Sequence, residues 1–121
     1  MNSPYTFDNL KLITGGDPKL DIEILNTFLT TSRQYIDDMR LADEANDSQA
    51  WIHESHALKG ACFSIGVEKL GQMCQDAQSL GEASSTLRLE ALRGIENEFT
   101  IVEKMIFDMI KEKKAKIQNA N

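Results

Sequence analysis

A chain of 121 residues has room for one domain around one core, burying roughly two-thirds of its unfolded surface. Its 41% hydrophobic and 26% charged residues mark a globular protein rather than a disordered one, and no apolar run approaches the roughly 18 residues that a membrane span requires. The net charge of −6 argues against a general nucleic-acid binder, which needs a basic face for phosphate contacts.

The opening MNSPYTFDNL has neither the basic start nor the apolar block of a signal peptide, so the cytoplasm is the expected compartment. Thr6 is placed to cap a short first helix carrying Phe7, Leu10 and Ile13 on one side, and Gly15-Gly16 would stop it. Asp17 then offers an N-cap with Pro18 at the first helical position, where the missing N–H costs nothing. A long helix follows. Leu20, Ile24, Phe28, Tyr35, Met39 and Ala42 recur at helical spacing, joined by Leu25, Leu29 and Ile36, and its other face is acidic and polar. Asn46 or Asp47 breaks it and caps the next helix, which ends near Gly66, a natural left-handed stop.

Val67, Leu70, Met73, Cys74, Ala77 and Leu80 form the stripe of a shorter helix that Gly81 ends. Ser84, Ser85 or Thr86 caps the last helix, whose Leu92, Ile95, Phe99, Val102, Ile106 and Met109 keep three- and four-residue steps to about Lys114. No strand is signalled. Residues 1–121 therefore predict a single all-α domain: an antiparallel four-helix bundle with a short N-terminal capping helix. The bundle uses its apolar stripes internally, leaving no heptad seam for a second copy, so a monomer is expected. Lys111, Lys113, Lys114 and Lys116 read as cations meeting the negative end of the last helix rather than as a binding patch. Cys62 and Cys74 fall on apolar faces and read as buried, reduced thiols.

The stretch from Trp51 to Leu80 carries the chemistry. At about 100° per residue, Trp51, Leu58, Ala61, Cys62 and Ile65 share one face of the third helix, whereas Gln49, Ile52, His56, Gly60 and Phe63 share the opposite one. His56 therefore points outward, with Lys59 and Gly60 one turn further on. A mid-helix glycine costs roughly 1 kcal/mol against alanine, so Gly60 suggests that something large approaches the backbone beside His56. Glu54 fits poorly, because it lies within the face assigned to the core and must pair with a base or reach the bundle rim.

At His56-x-x-Lys59-Gly60, then Gly66 and the run through Leu70, Cys74 and Leu80, the chain resembles the histidine-containing phosphotransfer domains of multistep phosphorelays. Leu12 to Leu29, with Gly15-Gly16-Asp17-Pro18 entering a long helix, is similar to the amino-terminal part of such domains. The resemblance implies that His56 reversibly takes a phosphoryl group from an aspartate on a response-regulator receiver domain, in a relay that also contains a hybrid sensor kinase. An exposed imidazole suits that role, since a neutral ring nitrogen is a nucleophile at physiological pH. Lys59 would offset the growing negative charge, and Gly60 would let the receiver close in. Gln49, Ile52, His53 and Phe63 surround His56 as candidate partner contacts, although Ile52 and Phe63 can equally tuck under neighbouring helices.

No carboxylate cluster is evident that would hold Mg²⁺, so no cofactor is expected on this chain and the ion should belong to the receiver. There is no G-x-x-x-x-G-K-[ST] loop and no glycine-rich nucleotide loop; the chain should relay a phosphoryl group without generating one from ATP. A zinc reading of His53-Glu54-Ser55-His56 fails on spacing, because residue 57 is alanine where H-E-x-x-H needs histidine, and two histidines cannot make a three-histidine site. The other reading is a non-catalytic helical adaptor that binds receiver domains without carrying phosphate. Only chemistry on His56 separates the two.

Overall fold

A computed structural model describes residues 5–119. Five helices, α1 (Asp8–Thr14), α2 (Pro18–Glu44), α3 (Ser48–Ile65), α4 (Glu68–Gln78) and α5 (Ser85–Asn119), account for all the regular structure among these residues. Helices α2 to α5 pack each against its neighbours in chain order, α5 closes the ring against α2, and α1 lies across α2 and α3. Ion pairs between Asp43 and Arg88 at one end, Arg40 and Glu96 further along, and Asp21 and Lys113 at the other show α2 and α5 running antiparallel. No helix among the described residues is long and apolar enough to cross a membrane.

Local signals place most of the helix ends. Asp17 precedes Pro18 and its carboxylate accepts from the Lys19 N–H at 3.0 Å, while the Asp47 carboxylate accepts from Ala50 N–H at 3.0 Å to start α3. Of the three candidates before α5, Ser84 does the capping, accepting from Leu87 N–H at 3.3 Å. Thr6 does not cap α1. That position falls to Phe7, which has a left-handed φ of 55° and no side-chain cap bond, because its ring is needed in the core. α4 stops at Gln78, before Gly81, and α5 runs past Lys114 to Asn119 because nothing in its lysine-rich end breaks a helix.

Leu25, Ile36, Met39, Trp51, Leu58, Leu70, Leu92, Ile95, Phe99 and Ile106 fill the centre of the bundle, all fully buried. Two residues assigned to the apolar stripes stay exposed: Ile13 at 55% and Leu20 at 43%. Both lie at the end where α1 crosses, and α1 is too short to cover a full helical face. The polar face of α2 also enters the interior. Asp21 is buried, accepts from the Thr14 hydroxyl on one oxygen and from Lys113 Nζ at 2.8 Å on the other. Burial works to raise its pKa, but Lys113, Thr14 and the field of Lys116 outweigh it and hold the carboxyl below the usual range.

The segment before α1 is tied down by Tyr5, whose hydroxyl donates to Glu98 at 2.6 Å; burial, then Glu98, push that phenol well up. Lys69 reaches the other oxygen of Glu98 at 3.3 Å. Cys62 and Cys74 are both fully buried and unbridged, and the Cys74 thiol beside it, followed by burial, pushes Cys62 up.

Ser32 stands apart from these satisfied groups. It sits on the core face of α2, fully buried, and its hydroxyl has no partner among the described residues. A buried hydroxyl without a bond carries its desolvation cost uncompensated, and serine is also a poorer helix former than alanine. Ser32→Ala is expected to stabilise the bundle by about 1 kcal/mol, read by thermal or denaturant unfolding; an equal or lower midpoint would show that the hydroxyl finds a partner.

Candidate functional site

The rotation of α3 about its own axis decides what its outer face presents. Trp51, Leu58, Cys62 and Ile65 are buried to 3% exposure or less, and the Trp51 indole N–H donates to the Ala77 carbonyl at 2.7 Å, pinning the start of α3 to the end of α4. At the other end Gly66 adopts a φ of 87°, with its N–H bonded to Phe63 O at 3.3 Å and Val67 N–H bonded to Cys62 O at 2.8 Å. That pairing is a Schellman motif, and only glycine takes the left-handed position without strain. A Cβ there would also lie 3.3 Å from the Phe7 backbone. Asn9 on α1 donates to the Phe63 carbonyl at 3.0 Å, satisfying the last turn from outside.

With both ends fixed, His56, Gly60, Gln49 and His53 are exposed. A Cβ added at Gly60 would meet no atom within 4 Å, so the turn after His56 is open to anything approaching from solvent. Lys59 is half-buried and lines a groove between α3 and α4, of about 410 Å³, with Ile52, Gln75, Gln78 and Ser79. On the α2 side a more apolar groove of about 390 Å³ runs past Ile24, Thr27, Phe28, Ala61 and Ser64. The outer face of α3 is therefore a ridge with His56 exposed along it and a groove on either side.

Ile52 and Phe63 lean on glycines. A Cβ at Gly81 would sit 2.6 Å from Ile52 Cγ1, and one at Gly71 would sit 3.0 Å from the Phe63 ring, so Ile52 leans on the α4–α5 connection and Phe63 on α4. Gln75 and Gln78 are, with Ser79, lining residues of this groove that the sequence pattern does not point to. They flank the buried stripe of α4 on the side facing Lys59, and only the pairing of α3 with α4 reveals them. Among the described residues no group of three or more His, Cys, Asp or Glu side chains is arranged to hold a metal ion.

Glu54 resolves as a rim residue. It is half-buried, and burial, followed by the charge of Asp38, raises its carboxyl above the usual range while His53 pulls it down. A carboxyl whose folded pKa is raised contributes stability below its unfolded value of about 4.3, and that contribution is lost as pH rises through the folded value. At neutral pH the ionised Glu54 is thus a liability. Glu54→Gln is expected to raise the Tm at pH 7, with the gain shrinking towards pH 4; a gain that is the same at both pH values would rule out this origin.

The Hpt domain family model matches residues 23–105. No curated protein sequence matches the chain. Among solved structures, histidine-containing phosphotransfer protein B from Pseudomonas aeruginosa superposes with a TM-score of 0.81 at 20% identity, over 93% of this chain and 98% of that one. The HPT domain of the Hpt sensor hybrid histidine kinase from Shewanella gives a TM-score of 0.72 at 19% identity, over 90% of this chain and 95% of that one. At such identities the two likenesses are of fold, and both are helical bundles of the kind described above.

Proposed function

The chain belongs to the Hpt domain family, and from that premise we propose that it is a phosphorelay carrier in which His56 accepts a phosphoryl group from a receiver-domain aspartate and returns it to another. In the forward step a neutral ring nitrogen of His56 attacks the phosphorus of the aspartyl phosphate. A P–N bond forms, the P–O bond to the aspartyl carboxyl breaks, and the aspartate leaves as a carboxylate. Phosphoryl transfer is mostly positioning and charge stabilisation, and Lys59 is the cation one turn away that can meet the oxygens of the transferring group. The Mg²⁺ such chemistry uses belongs to the receiver in this reading. The carrier acts as a cytoplasmic monomer between a hybrid sensor kinase and its receivers, which contact the exposed Gln49 and His53 around the ridge and the outer edges of the half-buried Ile52 and Phe63.

The observation that carries the proposal is an exposed histidine in the middle of a rigidly held helix, beside an ammonium group and a glycine with open space above it. Incubation with a phosphorylated receiver, followed by detection of an acid-labile, base-stable phosphoryl group on this chain, is the direct test. Receiver binding without any such label would leave the adaptor reading in its place.

Gly60 separates access from stability. Because nothing lies within 4 Å of its missing Cβ, Gly60→Ala is expected to stabilise the helix by up to roughly 1 kcal/mol. Gly60→Leu should melt near the parent yet slow transfer by about a hundredfold, since misplacing reacting groups by an ångström costs about that much. Normal melting with parental transfer would show that the receiver docks elsewhere.

A further inference from the structure

We propose that the cleft between α1 and the C-terminal half of α5 binds a soluble phosphate monoester with a small apolar body. The cleft has a volume of about 280 Å³, just under the roughly 300 Å³ at which ligand pockets begin and so suited to a small ligand, and Phe7, Leu10 and Met109 line it with Lys11, Lys113 and Lys116. Asp21 is the carboxylate among its lining residues. Both Asp21 oxygens are already engaged, by Thr14 and by Lys113. Lys113 spends one of its three donors on that pair and keeps two. Lys11 and Lys116 are exposed and take no part in the ion pairs formed among the described residues.

Three ammonium groups against one carboxylate leave two positive charges in excess, within a chain whose net charge is −6. At physiological salt, fields fall off over about 8 Å, so the charges lining the cleft weigh more on what it attracts than the chain's overall acidity does. A phosphate monoester supplies the complement: a charge of about −1.5 to −2 and three strong acceptor oxygens for donors converging from two helices. Helix dipoles account for a lysine at the end of α1 and another at the end of α5, taken singly. They do not account for both facing one apolar floor. The half-buried Met109, with the edges of the buried Phe7 and Leu10 beside it, gives the ester an apolar contact that bare phosphate cannot use.

α1 meets α3 at its far end, through Asn9 on Phe63 and Phe7 on Gly66, and His56 lies ten residues before Gly66, about 15 Å along the helix, so the cleft can be told apart from the His56 ridge. Backbone amide NMR of the full chain, titrated with phenyl phosphate, is expected to give saturable shifts at Leu10, Lys11, Gly16 and the Lys113–Lys116 turn. Inorganic phosphate, which lacks the apolar body, and benzoate, which lacks the second charge, should each bind at least about tenfold more weakly. Lys11→Gln/Lys116→Gln should keep the parental melt and lose at least about tenfold in affinity, whereas Lys104→Gln, on α5 outside the cleft, should bind as the parent. Shifts that fail to saturate, that centre on α3, or that persist unchanged in the double variant would overturn the assignment.

Discussion

His56→Gln is expected to abolish phosphoryl acceptance while the protein melts with the parent. Glutamine keeps a polar side chain of similar reach but has no nucleophilic ring nitrogen, so the P–N bond cannot form. The fold should be indifferent, because His56 is exposed and helix-surface substitutions away from special features usually stay within about 0.5 kcal/mol. His53→Gln is the matched control. His53 is also exposed but has Ala57 rather than glycine one turn further on, and it should retain acceptance. Label that survives in His56→Gln and disappears in His53→Gln would exchange the roles of the two histidines; label lost in both would point to docking rather than to the nucleophile.

The orientation behind that expectation was legible because helical period and local caps are short-range facts. Asp17-Pro18, Asp47 and Gly66 announce the ends of α2 and α3 within a few residues, and with the ends fixed the outward place of His56 follows. Period says which face turns inward, but not how much of it a neighbour covers. Ile13 and Leu20 lie on apolar stripes and stay exposed for that reason. Long-range pairing was illegible altogether. Tyr5 finds Glu98, Asp21 finds Lys113 and Asp43 finds Arg88 across separations that no window along the chain connects, so residues that read as a solvated polar face are interior. The same limit hid Gln75 and Gln78, which meet the Lys59 groove only once α4 is laid beside α3.

The largest stability effect is expected at the end of the bundle away from α1. Arg88 is 3% exposed and makes four contacts with the chain around it: Nε donates to Asp43 at 2.8 Å, one terminal nitrogen to the carbonyls of Ala83 at 2.6 Å and Gly81 at 3.4 Å, and the other to the Asn46 side chain at 2.8 Å. Ser85 donates to the second Asp43 oxygen at 3.0 Å. One guanidinium thereby joins the end of α2, the α4–α5 connection and the first turn of α5, and Gly81 in that connection is the seat of Ile52 on the His56 ridge. Arg88→Met fills a similar volume but leaves Asp43 as a buried charge without its partner, and deprives two carbonyls of their donor. Removing one member of a buried pair typically costs about 3–5 kcal/mol, a large share of the roughly 5–15 kcal/mol that holds a domain together. Asp43→Leu/Arg88→Met should recover part of that loss, because the stranded charge is gone, but not all of it, because Gly81 and Ala83 remain without a donor. Denaturant unfolding of the two variants beside the parent measures both quantities. A loss below about 1 kcal/mol in Arg88→Met would mean that water replaces the guanidinium at little cost, and a double variant no more stable than the single one would mean that the carbonyl bonds, rather than the ion pair, hold this end of the bundle closed.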